Sequence, residues 1–158
     1  MSKFDLRKIT FGMTSAIVMG IAAVGTLFAN PSGKMVIISS LLVFAIADNI
    51  ADTFGIHMQQ DSELVKPNNV WRNTLFNYGA RLLVSLLFIS LLLVFPTYLA
   101  SLFCIILGLF LLTMISYVIA KQKKMNPLSM IVEHVGLAII VLILSTVVGN
   151  IIRSQIHN

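Results

Sequence analysis

The chain has 158 residues, of which 58% are apolar and only 11% charged, with a formal net charge of +5; soluble globular domains carry roughly 45–50% and about 25%. A soluble fold of this size has nowhere to hide so much aliphatic surface, so soluble enzymes, disordered tails and nucleic-acid modules are excluded, and the positive charge has to be read by its position against a bilayer. The single cysteine, Cys104, excludes a disulfide framework or a multi-cysteine metal site within one chain, and its apolar setting gives it a packing role.

A helix rising 1.5 Å per residue needs about 20 apolar residues to cross ~30 Å of hydrocarbon. Five stretches meet this, at about 9–29, 35–56, 75–95, 98–120 and 128–151. They predict an all-α, multi-pass membrane protein, a bundle of five transmembrane helices forming one domain over residues 1–158. The first stretch follows Lys3, Arg7 and Lys8, but it is long for a secretory signal and lacks a small-x-small cleavage pattern, so it reads as a retained span. Asn30-Pro31-Ser32-Gly33 closes it. The second carries Asp48 and Asp52, and Asp48, Asp52, Gly55, Gln59 and Glu63 recur at helical spacing. That helix is therefore expected to run past the membrane to near Val65 and stop before Pro67. Gly55 leaves room for a hydrated ion or for close approach of the first helix, or is simply a packing glycine. His57 falls on the opposite face and pairs with Asp61 one turn on. Residues His57 to Thr74 read as the longest loop, too short for a domain. The third stretch holds Arg81 and ends at Phe95-Pro96-Thr97. The fifth opens at Asn126-Pro127, an N-cap followed by the first helical residue, and holds Glu133 and His134.

Orientation follows from the basic residues. Lys3, Arg7, Lys8, Lys66, Arg72, Lys121, Lys123 and Lys124 fall on one side of five crossings, and only Lys34 and Arg153 on the other. This bias predicts a cytoplasmic N-terminus and a C-terminus on the opposite side.

The informative residues are the polar ones at membrane depth. An ionisable group near a helix centre costs at least ~2.5–3.5 kcal/mol on insertion scales, so it persists mainly where it meets a partner, water or a substrate path. Four such groups stand out: Asp48, Asp52, Arg81 and Glu133. Three carboxylates against one guanidinium leave a formal excess of negative charge in the cytoplasmic half of the bundle, which a divalent cation or two protons would compensate. Hard oxygen donors from Asp48, Asp52 and Glu133, with Met19 or Met130 as soft donors, suit iron or manganese better than calcium. Gly12, Ser15, Met19, Ala22 and Thr26 share one face of the first helix, small and hydroxylated enough for close packing at Gly12 or for lining a narrow path at Ser15 and Met19. Gln59, Asp61 and Glu63 form the cytoplasmic approach to the acids. The competing reading has Arg81 pairing with Asp52 or Glu133 to pin helices together. A haem protein ligated by His57 and His134 lacks a second histidine pair or any redox motif.

The run Ala47-Asp48-Asn49-Ile50-Ala51-Asp52-Thr53-Phe54-Gly55-Ile56-His57, followed by Gln59 through Glu63, resembles the second-helix signature of the vacuolar iron transporter family. Ile9-Thr10-Phe11-Gly12-Met13-Thr14 is similar to that family's first-helix opening, and Val148-Gly149-Asn150-Ile151-Ile152 to the end of its last helix. The resemblance implies a homodimer of five-helix subunits, in the plasma or inner membrane if bacterial, moving iron(II) or manganese(II) out of the cytosol in exchange for protons. It implies no enzyme activity and no bound cofactor beyond the transported metal, with membrane lipid and a second copy as partners. The chain departs from the family at Ser15-Ala16, where an Asp-Gly is common, and at Ile56, where a glutamate is common. It also lacks the long acidic segment that eukaryotic members carry between the second and third spans. A non-transporting membrane protein with the same fold and structural ion pairs is the alternative.

Overall fold

The computed structural model describes residues 7–30, 33–62 and 67–156, and among them every regular element is helical. Five helices are long and apolar enough to cross a membrane: α1 (Arg7–Ala29), α2 (Lys34–Ser62), α3 (Pro67–Val94), α4 (Thr97–Lys123) and α5 (Pro127–Ile156). The chain is an all-α, multi-pass membrane protein.

The helix ends have local causes. Pro96, with φ −56° and ψ 151°, cannot continue α3 and starts α4. The Asn126 side-chain oxygen accepts the Leu128 N–H at 3.0 Å, and Pro127 brings no N–H of its own to satisfy, as the Asn-Pro pair predicts. α4 terminates on Lys124 in the left-handed region, φ 56°, where the Met125 N–H closes back onto the Ala120 carbonyl at 2.9 Å. Within α2 the backbone widens to one π-helical turn over Phe44–Asp48, which ends on the first of the two membrane-depth aspartates. Such single wide turns occur often at functional sites.

Two boundaries differ from those the hydropathy sets. α3 begins at Pro67, eight residues before the apolar stretch, and α2 is helical to Ser62, beyond its apolar stretch as the polar spacing predicts, so most of the expected loop between His57 and Thr74 is helix. An apolar window does not register these turns because polar contacts hold them. His57 Nδ1 and Thr74 Oγ1 lie 3.2 Å apart, the His57 and Trp71 rings sit with centroids 4.7 Å apart, and Asn73 Nδ2 donates to Gln60 Oε1 at 3.1 Å. Glu63 lies outside the described residues.

α1 is the axis of the bundle, packed against α3, α4 and α5. Ile17, Ile21 and Val24 on α1 are fully buried among Phe88 and Leu92 of α3 and Cys104 and Leu112 of α4. Lipid tails are as apolar as these side chains, so helices in a bilayer associate by close van der Waals fit, which small residues permit. Gly20 lies under the Phe88 ring, Gly108 against Ile21, and Gly149 against Ala29. Cys104 has the packing role expected of it, buried with its thiol against the Phe88 carbonyl. α5 is held to α1 by Thr146 donating to the Gly25 carbonyl at 3.1 Å and by Arg153 donating to the Ala29 carbonyl at 2.7 Å. Lys34 likewise donates to the Phe95 carbonyl at 2.7 Å, so a cation sits at the C-terminal end of both α1 and α3.

Candidate functional site

α2 and α3 run side by side, and their facing sides are polar in the half of the bundle that holds the α1 N-terminus. On α2, Asp48 and Asp52 are one turn apart; on α3, Asn73, Asn77 and Arg81 follow each other at four-residue spacing on the buried face. Arg81 is 2% exposed and joins both acids, with Nη1 donating to Asp52 Oδ2 and Nη2 donating to Asp48 Oδ2. The same Nη2 lies 3.9 Å from Met19 Sδ, and Ser15 donates to Asp52 Oδ2 at 3.5 Å, so α1 completes one flank. Asp48, Asp52, Arg81, Ser15 and Met19, each singled out by its residue type and position in the sequence, thus meet in one cluster.

Its electrostatics are unbalanced. Two carboxylates share one guanidinium, leaving a formal charge of −1 when all are ionised. The arginine is enclosed, whereas the Asp48 and Asp52 side chains keep 33% and 35% of their surface. They are the accessible edge of the cluster.

Gly12 explains how α1 comes so near. An added Cβ there would fall on Asn77 Oδ1 and lie 2.8 Å from Arg81 Cγ, so only a glycine lets the amide and the arginine stem occupy this space. This is the close packing expected at Gly12. Gly55 differs: it is exposed, and nothing lies within 4 Å of a Cβ built on it, so it packs against no helix among the described residues.

Glu133 requires a correction. It lies exposed on α5, which packs on α1 and α4, and the ion pairs of Arg81 are with Asp48 and Asp52 and not with it. The site is built from α1, α2 and α3, so the expected three-carboxylate set does not assemble. Among the described residues no three His, Cys, Asp or Glu side chains stand close enough to hold a metal ion. Spacing along one helix fixed Asp48 against Asp52, but it carried no information on which way α5 turns. Gln59 and Asp61 are exposed at the end of α2, and Asp61 lies 3.4 Å from His57 Nε2, the expected one-turn pair. His134 Nδ1 bonds Ser116 Oγ at 2.8 Å and His57 is engaged with Thr74 and Asp61, so the two histidines have separate partners rather than a common ligand position.

Several polar residues of the site escaped the sequence reading. Asn49, 1% exposed, donates to the Tyr78 carbonyl at 3.1 Å and accepts from Thr53 at 3.4 Å, joining α2 to α3 just beside the aspartates. Asn73 and Asn77 are buried, and the side-chain oxygen of each is without a hydrogen-bond partner. The repeat Asn73, Asn77, Arg81 was the signal for them.

Fold and cluster together define a membrane protein in which a buried arginine bridges two partly exposed aspartates. No protein-family model, curated protein or solved structure matches the chain.

Proposed function

We propose that this protein is a membrane transporter of divalent metal cations, iron(II) or manganese(II), that exports them from the cytosol in exchange for protons. One observation carries the reading: two carboxylates on one face of α2, each about a third exposed and sharing a single buried arginine. A carboxylate at membrane depth does not rest against lipid tails. Its open edge calls for water, a second copy of the chain or a cation. Asp48 and Asp52 are the hard oxygen donors, Ser15 a further oxygen and Met19 a soft donor. Water or a second subunit completes the coordination, because the described residues place two acids here. Arg81 is the resident counter-charge: an arriving cation takes the carboxylates from it, and protons do so after the cation leaves. The resemblance of residues 9–63 to the vacuolar iron transporters supports the same reading, as does the excess of basic residues on the N-terminal side, which sets that side in the cytosol. In this reading the chain acts as a homodimer in the plasma or inner membrane, with no bound cofactor and no enzyme activity.

A second reading is favoured by the same arginine: enclosed and bonded to both acids, it pins α2 to α3 in a protein that moves no ion. Proteoliposomes separate the two. Manganese(II) uptake driven by a pH gradient, abolished in Asp48→Asn while expression and melting temperature are kept, is the expected result. Absence of divalent-ion movement in the unaltered protein overturns the transporter reading, and undiminished transport in Asp48→Asn removes that residue from the path.

A further inference from the structure

The cluster contains an acceptor that nothing occupies. Asn77 is 1% exposed and its Oδ1 has no donor among the described residues, although a buried polar atom left unpaired is costly. Asn73 has a free oxygen too, but it lies two turns from Arg81 and its amide N–H is held by Gln60, while Asn49 on α2 uses both ends of its amide; Asn77 is the free acceptor one turn from the arginine. Asn77 Oδ1 and Arg81 Cγ meet at one spot, the place where a Gly12 side chain would begin. The free oxygen is therefore beside the stem of the arginine whose head group holds Asp48 and Asp52. The guanidinium is a planar fork of five donors on a flexible stem, and rotation about that stem turns it from the aspartates toward the preceding turn of its own helix.

We propose that Asn77 Oδ1 is the second seat of Arg81: when a divalent cation takes Asp48 and Asp52, the guanidinium moves one helical turn along α3 and donates to the Asn77 amide oxygen. This rests on the transporter reading and deepens it, since it says where the displaced counter-charge goes. A buried arginine that lost both carboxylates with no acceptor at hand would be left uncompensated, and the cation would have to bear that cost through weaker binding. Asn77 is thus a positioning residue that acts on the ion through Arg81. Gly12 belongs to the device, because any side chain there would close the space between the two seats.

Manganese(II) binding to the purified protein is the test. In the unaltered protein the ion binds, and Asn77→Leu lowers its affinity about tenfold, the equivalent of ~1.4 kcal/mol. Melting without metal is unchanged or higher in Asn77→Leu, because the substitution removes an unpaired oxygen. In an Arg81→Met background the Asn77→Leu effect on affinity disappears. Equal affinity in Asn77→Leu and the unaltered protein overturns the proposal, and so does a loss of the same size with and without Arg81. Should Arg81→Met not fold, a structure with manganese bound decides: Arg81 on Asn77 supports the proposal, and Arg81 still on the aspartates refutes it. No manganese binding to the unaltered protein is a different outcome, which removes the transporter reading and this proposal with it.

Discussion

Removing Arg81 is the sharpest perturbation the structure offers. Arg81→Met keeps most of the side chain's length and apolar stem while deleting a charge that is 2% exposed and bonded to two carboxylates. Taking one partner from a buried ion pair costs about 3–5 kcal/mol, because the remaining charge loses its compensation. Here the acids left behind are each about a third exposed, so water and protonation recover part of that, and a loss of about 2–4 kcal/mol is expected. Converting the acids as well should return most of it: Arg81→Met with Asp48→Asn and Asp52→Asn leaves a neutral, hydrogen-bonding cluster of nearly the same volume. The assay is reversible unfolding in bicelles, measured for Arg81→Met, Asp52→Asn and their combination as a cycle. Neutral hydrogen bonds between membrane helices couple by ~0.6 kcal/mol on average and at most about 1.7. A coupling above that range between Arg81 and Asp52 identifies an ion pair. If Arg81→Met costs under ~1 kcal/mol, or the two substitutions simply add, the shared-charge account of this cluster is wrong.

Two further outcomes follow from packing. Gly12→Ala and Gly55→Ala make a matched pair, since replacing a helical glycine by alanine favours the helix by about 1 kcal/mol in either case. At exposed Gly55, with nothing within 4 Å of the new methyl, that gain should appear as a higher melting temperature. At Gly12 the methyl lands on the Asn77 amide, overpacking of about 1–3 kcal/mol offsets the gain, and melting temperature should fall below that of Gly55→Ala together with manganese affinity. Equal melting temperatures in the two variants would mean that α1 does not approach α3 at Gly12. The thiol of Cys104, fully buried against α3, should resist maleimide labelling in mild detergent and react fully once the protein is unfolded in strong detergent. Rapid labelling of the folded protein would contradict the packing of α4 on α3.

The order of residues was enough to set the five helices, the Asn126-Pro127 start of α5, the His57–Asp61 pair and the adjacency of Asp48 and Asp52, because length, apolar content, proline and one-turn spacing all act within a single stretch of chain. It did not determine how the helices turn toward each other. In a bilayer the outer face of a helix is as apolar as the inner one, so the apolar pattern of α5 gave no sign that Glu133 points outward. The pairing of Arg81 with both aspartates, the free oxygen of Asn77 and the extension of α3 back to Pro67 came only with the tertiary structure. Each depends on which faces of α1, α2 and α3 lie in contact, and that is set by where small residues such as Gly12 allow two backbones to come close.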